Sequence, residues 1–95
     1  MIQTQPSAQA QSTAEIIKAY IYEQFLYDRP EVILTPELLL IEQRMIDSLQ
    51  IVQLIQFLQE KFSIWIDVTD LVMENFASIN SMTAFVEKQN SKSEA

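Results

Sequence analysis

The 95-residue chain contains no glycine, and this absence limits both its turns and its ligand chemistry. Glycine is the residue that most readily adopts the left-handed conformation of tight turns and helix C-caps. Asn, Asp or Ser must therefore fill those positions. A glycine-rich loop that cradles the phosphates of a nucleotide is excluded, because its glycines bring the backbone close to the ligand.

Cysteine and histidine are absent too, which removes disulfides, zinc–thiolate sites, thiol nucleophiles and the commonest general base near neutral pH. Any catalysis would depend on carboxylates, lysine, tyrosine or serine. The chain has 13 acidic and 6 basic residues, a net charge of −7. Such a domain repels nucleic acid and anionic membranes and attracts proteins with basic docking surfaces.

No stretch of the chain has the length and apolar character of a membrane span, and residues 1–13 lack the apolar core of a signal peptide. We therefore expect a cytoplasmic, monomeric protein that binds neither nucleic acid nor membrane. The small size fits one domain with a modest core.

Helical periodicity dominates the middle of the chain, and strand-like alternation is scarce. The pattern predicts an all-α bundle of four helices, three longer and one short, with a long connection between the first and second. The folded domain would cover residues 12–88. Polar segments at residues 1–11 and 89–95 would be flexible tails.

The first helix is predicted over residues 13–27, where apolar side chains recur at helical spacing. Ser12 and Glu15 have the spacing of a capping box, which satisfies two backbone N–H groups at a helix start. Pro30 ends the helix, because the residue before a proline avoids the helical conformation.

The connection at residues 31–46 is unusually apolar, so it must lie across the core and not extend into solvent. Within it, Thr35 followed by Pro36 suggests a short helical turn with Thr35 as the N-cap. A strand at residues 32–34 is an alternative that has no obvious partner strand.

The second helix is predicted to begin at Asp47 or Ser48 and to end near Lys61, where a cation suits the C-terminal dipole. One apolar stripe along it would enter the core: Leu49, Val52, Ile55, Leu58 and Phe62, thickened by Ile51 and Leu54. A polar face lies largely opposite: Gln50, Gln53, Gln56, Gln59 and Glu60.

A short third helix is predicted over residues 67–74, with Leu71 and Val72 pointing inward. Ser78 would cap the last helix, whose apolar residues are Ile79, Met82, Phe85 and Val86. Trp65 lies between two isoleucines, so strand-like alternation predicts that its side chain faces solvent.

The tripeptide Asp47-Ser48-Leu49 lies where the long connection meets the second helix. Its simplest interpretation is a helix cap, because Asp and Ser are favoured at that position. A phosphate ester on Ser48 would also meet free backbone N–H groups and the positive end of the helix dipole. The position therefore suits a permanently held phosphodiester.

The stretch Arg44-Met45-Ile46-Asp47-Ser48-Leu49 resembles the attachment motif of acyl carrier and peptidyl carrier proteins. Residues 62–67 and 74–79 are similar to later segments of that family, so the resemblance covers about residues 14–88. One position departs from the family pattern, because Arg44 stands where the family usually has a glycine.

The resemblance implies that Ser48 bears 4′-phosphopantetheine, donated by coenzyme A through a phosphopantetheinyl transferase. Asp47 would assist that transferase, and Leu49 would anchor the helix start and help to dock partners. The family's arm supplies the thiol for a thioester, which fits a chain without cysteine. The implied fold is the four-helix bundle already predicted.

The same resemblance implies a carrier without catalytic activity of its own. It would be charged by an acyl- or aminoacyl-loading enzyme and would serve downstream synthase, transferase or oxidase enzymes. We expect those partners to dock on Gln50, Gln53, Met45 and Trp65.

Carriers of primary fatty-acid synthesis usually show acidic residues on the second helix, where this chain has Gln50, Gln53 and Gln56. This difference favours a dedicated partner in a specialised pathway of the polyketide or nonribosomal type. General fatty-acid synthesis is the alternative, and a plainly solvated glutamine face is the simpler interpretation.

Two functions outside the carrier class stay open at this stage. A non-carrier acidic helical adaptor would explain the charge and the fold but not the serine after an aspartate at the helix head. An enzyme with Ser48 as nucleophile would need a lysine or carboxylate as base, and Lys61 is more than three turns away on the same helix.

Overall fold

The computed structural model describes the backbone of residues 12–94 and the side chains of residues 12–90. Four α-helices follow in order: α1 Thr13–Phe25, α2 Ser48–Phe62, α3 Met73–Phe76 and α4 Ile79–Glu94, with a 3-10 turn at Val68–Asp70. Three of the helices are long, and residues 12–94 contain no strand. The predicted all-α bundle is confirmed, and the tail at residues 1–11 lies outside the described residues.

Helix α1 begins with the expected capping box. The Ser12 hydroxyl accepts a hydrogen bond from the Glu15 N–H at 3.1 Å, and the Glu15 carboxylate accepts one from the Ser12 N–H at 3.4 Å. The predicted end at residue 27 is wrong, because the helix stops at Phe25. The chain turns there so that Leu26 becomes buried in the core.

The long connection lies across the core, as its apolar composition predicted. Leu34, Leu40 and Ile46 are buried. The Tyr22 hydroxyl on α1 donates a hydrogen bond to the Val32 carbonyl and accepts one from the Leu34 N–H. A side chain of α1 therefore satisfies the backbone at residues 32–34, which forms no strand.

Two backbone hydrogen bonds join the second half of the connection to the residues around the start of α4. The Leu40 N–H donates to the Ala77 carbonyl at 2.9 Å, and the Asn80 N–H donates to the Pro36 carbonyl at 3.0 Å. The helical turn predicted after Thr35 is reduced to a single hydrogen-bonded turn, in which the Leu38 N–H donates to the Thr35 carbonyl.

Helix α2 buries a narrower stripe than the sequence pattern predicted. Leu54 and Leu58 are fully buried, but Val52 is 52% exposed and Leu49 is 67% exposed. At about 100° per residue, Val52 lies roughly 160° around the helix from Leu54 and points away from α1 and α4. The assignment of Val52 and Leu49 to the buried stripe is therefore wrong.

The segment after α2 is held by two glutamine side chains. Ser63 caps the helix in the left-handed conformation with φ 54°, the role that glycine usually fills. The Gln59 side-chain oxygen accepts a hydrogen bond from the Ile66 N–H at 3.2 Å. The Gln89 amide donates to the Trp65 carbonyl at 2.6 Å. The Trp65 side chain is 74% exposed, as alternation predicted.

The single short helix predicted over residues 67–74 is wrong, because a 3-10 turn and α3 replace it. Asp67 caps the turn, since its carboxylate accepts from the Val68 N–H at 2.9 Å and its N–H donates to the Asp70 carboxylate at 3.1 Å. These bonds close one tight turn, and Leu71 then leaves the helical conformation with ψ 65°.

The helical conformation is interrupted before α3, and this interruption exposes two residues that were predicted to point inward. Leu71 and Val72 are both nearly half exposed, which contradicts their predicted place in the core. Phe76 is buried instead, and its ring lies 5.4 Å from that of Phe85 on α4.

Helix α4 begins where predicted, with the Ser78 hydroxyl accepting from the Ser81 N–H at 3.1 Å. Its four predicted apolar residues are all buried: Ile79, Met82, Phe85 and Val86. The helix continues to Glu94, beyond the domain boundary expected at residue 88, and Gln89 is only 8% exposed. No helix within residues 12–94 is long and apolar enough to cross a membrane.

Paired substitutions on α2 test which residues form its buried face. Leu58→Ala should lower the free energy of unfolding by about 2–5 kcal/mol, because it leaves a cavity in the core. Val52→Ala should cost less than about 1 kcal/mol, since Val52 is half exposed. Urea denaturation followed by circular dichroism measures both, and equal losses would show that α2 packs through the wider stripe.

Candidate functional site

The head of α2 is closed by a reciprocal capping box between Asp47 and Gln50. The Asp47 carboxylate accepts a hydrogen bond from the Gln50 N–H at 2.8 Å, and the Gln50 side-chain oxygen accepts one from the Asp47 N–H at 2.9 Å. Asp47 has an extended backbone, so it is the N-cap, and Ser48 is the first helical residue. The sequence alone left these two residues as alternatives.

This division of roles leaves the Ser48 hydroxyl free of the cap. Ser48 is exposed, and the side chains that close the capping box belong to its neighbours. The first turn of α2 contains no acidic residue. A negative group on Ser48 would therefore meet the positive end of the helix dipole and unpaired backbone N–H groups of the first turn.

The turn that leads into this site passes through Arg44 in the left-handed conformation, with φ 60°. The Leu40 carbonyl accepts hydrogen bonds from both the Met45 N–H at 2.8 Å and the Ile46 N–H at 3.4 Å. A non-glycine residue in this conformation costs roughly 1–2 kcal/mol. Arg44 thus adopts a left-handed conformation that glycine reaches more easily than other residues, and the expectation that only Asn, Asp or Ser would fill such positions is wrong here.

Burial of Ile46 directs the chain from the core to the surface at the site. Ile46 is buried, while Asp47, Ser48 and Leu49 are exposed one after another. Met45 is partly buried and packs against the core cluster. The core therefore determines where the Asp47-Ser48-Leu49 tripeptide reaches solvent.

The residues expected to dock partners do not form one patch. Leu49 and Gln53 are exposed on α2, whereas the Gln50 side chain is engaged in the capping box. Trp65 follows the C-terminal end of α2, whose 15 residues span about 22 Å at the usual rise. Ser48 therefore begins α2, and Trp65 lies just beyond the opposite end of the helix.

A groove between α1 and α2 was not foreseen from the sequence. It has a volume of about 320 Å³ and is lined by Tyr20, Gln24, Gln53, Gln56, Phe57 and Glu60. The rings of Tyr20 and Phe57 stack with centroids 3.9 Å apart. Burial, and to a lesser degree the Glu60 carboxylate, raises the pKa of Tyr20 above its ordinary value. Tyr20 and Gln24 are four residues apart, so helical geometry places them on the same face of α1. This spacing is the feature of the sequence that could have indicated the groove.

The family of the chain is shown by its similarity to a known protein. No family model matches the chain. Over 75 residues it is 37% identical to the acyl carrier protein of Helicobacter hepaticus (strain ATCC 51449 / 3B1), and the alignment covers 79% of this chain and 93% of that protein. The chain belongs to the acyl carrier protein family. This relationship confirms the family that the sequence resembles and supports a carrier role.

Substitutions at the head of α2 in this acyl carrier family member test the assignment of the cap. Asp47→Ala should lower the free energy of unfolding by about 0.5–2 kcal/mol, because it removes the bond to the Gln50 N–H. Ser48→Ala should change stability by less than about 0.5 kcal/mol, since its hydroxyl does not close the cap. Urea denaturation compares them, and a larger loss for Ser48→Ala would make serine the cap.

Proposed function

We propose that this acyl carrier family member holds acyl or aminoacyl intermediates as thioesters on a 4′-phosphopantetheine arm attached to Ser48. The observation that carries the proposal is the exposed Ser48 hydroxyl at the first position of α2, with the cap closed by Asp47 and Gln50. The arm would supply the thiol that this cysteine-free chain lacks.

The residues present suit the attached group. Attachment forms a phosphodiester bond at the Ser48 oxygen, the hydroxyl proton is lost, and the nucleotide part of coenzyme A leaves. First-turn N–H groups that the Asp47 carboxylate does not bind would attract the resulting negative charge. The start of α2 would thereby stabilise a negative charge at the attachment point.

Asp47 has a second proposed role towards the phosphopantetheinyl transferase. Its Oδ1 atom makes the capping bond to the Gln50 N–H, so Oδ2 is the oxygen that would meet a metal ion or cationic group of the transferase. Gln50 supports this arrangement as a positioning residue, because it binds the Asp47 backbone. The cap thus orients the carboxylate that lies next to the modified serine.

Partner docking is proposed on the part of α2 that surrounds the attachment point. Leu49 and Val52 present apolar side chains to solvent, and Gln53 and Gln56 continue the exposed surface without charge. Amide side chains donate and accept hydrogen bonds, so this surface suits a partner that recognises shape and polar groups. Met45, which is partly exposed three residues before Ser48, is proposed as a further docking contact.

Trp65 is proposed as a separate contact at the other end of α2. Both neighbouring isoleucines are buried. Gln89 donates to the carbonyl and Gln59 accepts from the N–H of the Trp65–Ile66 peptide group. The exposed indole is therefore presented on an ordered backbone, which lowers the entropy cost of binding. Tryptophan is also among the residues that most often dominate protein interfaces.

The uncharged docking surface favours a specialised pathway of the polyketide or nonribosomal type over general fatty-acid synthesis. Between Ser48 and Gln59, α2 contains no charged side chain, although the chain as a whole carries a net charge of −7. A partner that depends on acidic residues along this helix would lose its electrostatic attraction here. The loading enzyme and the downstream synthase, transferase or oxidase would then be dedicated partners.

Covalent modification tests the carrier proposal directly. Treatment with coenzyme A and a broad-specificity phosphopantetheinyl transferase should add the mass of one phosphopantetheinyl group, measured on the intact protein. Ser48→Ala should abolish the gain. The control is Ser63→Asn, which removes another exposed hydroxyl and tolerates the left-handed conformation. Wild-type protein that stays unmodified would favour the adaptor function instead.

A charge-restoring variant tests the pathway assignment. The modified protein should be loaded by a general malonyl transferase at least about tenfold more slowly than that enzyme's own carrier, because α2 lacks steering charge. Gln53→Glu with Gln56→Glu should raise the rate and make it sensitive to salt.

The matched control for the charge-restoring variant places the same two charges elsewhere. Ile33→Glu with Ala84→Glu changes exposed residues outside α2 that line neither described cavity, and should leave the loading rate unchanged. Efficient loading of the wild-type protein by the general enzyme would argue for primary fatty-acid synthesis.

A further inference from the structure

A small apolar pocket lies between the long connection and α3, away from the groove between α1 and α2. Its volume is about 260 Å³, and it is lined by Leu39, Ile41, Glu42, Met73, Glu74 and Ala77. Pockets that bind whole small molecules commonly measure about 300–1,000 Å³. The size of this pocket therefore fits a single long side chain better than a complete ligand.

The charge of the pocket selects the kind of side chain. Its two ionisable lining residues, Glu42 and Glu74, are both acidic, and none of the six lining residues is basic. Both glutamates are exposed at the rim of the pocket, so a neutral apolar occupant would leave their charge without a partner. A cationic occupant with an aliphatic stem would contact the apolar wall and place its charge beside the carboxylates.

Arginine satisfies these conditions better than lysine. The guanidinium group is planar, presents five N–H donors and is less strongly hydrated than an ammonium, so it pairs with carboxylates at an apolar surface more readily. Two carboxylates on one small pocket match a group that can donate to both.

The surface next to the pocket also has the character of an interface. Four exposed apolar side chains lie on or just before α3: Val68, Leu71, Val72 and Met73. Met73 also lines the pocket, and exposed apolar residues concentrated in one short segment are typical of interaction sites. Asp67 precedes the 3-10 turn and Asp70 is its last residue, and both add negative charge to the same segment. The acidic and apolar residues thus lie in the 3-10 turn and the start of α3, while the first turns of α2 are neutral.

We propose that a partner protein docks on the α3 side by inserting an arginine side chain into the pocket between Glu42 and Glu74. That this partner is one that uses the tethered acyl group rests on the carrier function proposed above. The pocket shares the connection with the attachment site, because the Leu40 carbonyl binds the Met45 and Ile46 backbone just before Asp47. Docking at the pocket would hold the partner on the segment that leads to Ser48.

Titration with a guanidinium probe tests the pocket without the arm or an identified partner. n-Butylguanidinium, added to ¹⁵N-labelled unmodified protein, should shift the amide signals of residues 39–42 and 73–77 in a saturable manner. n-Butylurea has the same stem without the charge and should bind at least about fivefold more weakly, since it cannot pair with the carboxylates.

Variants with matched charge complete the experiment. Glu42→Gln with Glu74→Gln should weaken binding of n-butylguanidinium about tenfold, the effect expected for losing charged hydrogen bonds. Glu31→Gln with Glu87→Gln removes the same net charge at exposed positions elsewhere and should leave binding unchanged. Circular dichroism spectra should show that both variants keep the helical fold.

Equal binding of n-butylurea would overturn the proposal, because the pocket would then accept an apolar ligand such as an acyl chain. Signal shifts confined to other residues, or equal weakening in the control variant, would overturn it as well. The intact-mass assay on Ser48 is independent of this titration. If the titration contradicts the pocket proposal, the result of the modification assay on Ser48 is unaffected. If Ser48 is not modified, the result of the titration is unaffected.

Discussion

The structure depends on burial of the long connection between α1 and α2. Leu34, Leu40 and Ile46 give up contact with water along a segment that forms no regular helix or strand, so other groups must satisfy its backbone. The Tyr22 hydroxyl and the Ala77 carbonyl do this from two sides. The connection is thereby held between the helices and determines where the chain enters α2.

The head of α2 shows how a serine can be presented at a helix start without glycine. Arg44 turns the chain in the left-handed conformation, and Ile46 remains in the core. Asp47 and Gln50 then cap the helix reciprocally, which leaves the intervening serine exposed at the positive end of the dipole. A strained turn, a buried anchor and a closed cap together present one hydroxyl.

Charge is distributed unevenly over the two surfaces that flank this site. The exposed face of α2 carries amides and apolar side chains, and the segment around α3 carries carboxylates beside exposed apolar residues. On the proposed docking model, electrostatic attraction would act mainly through the second surface, and close polar complementarity would act through the first. A partner that contacts both would be selected by two different kinds of interaction, which favours specificity.

The amino-acid sequence by itself determined the helical class, the capping box at Ser12, the cap at Ser78 and the motif around Ser48, because these follow from local spacing and local hydrogen bonding. Only the tertiary structure decided that Val52 faces solvent, that Gln89 is buried and that α3 is split from a 3-10 turn. Periodicity shows that a helix has an apolar side but not how wide a stripe its neighbours cover. Gln89 is buried because it binds the carbonyl of a residue 24 positions away, and such a contact leaves no trace in local sequence.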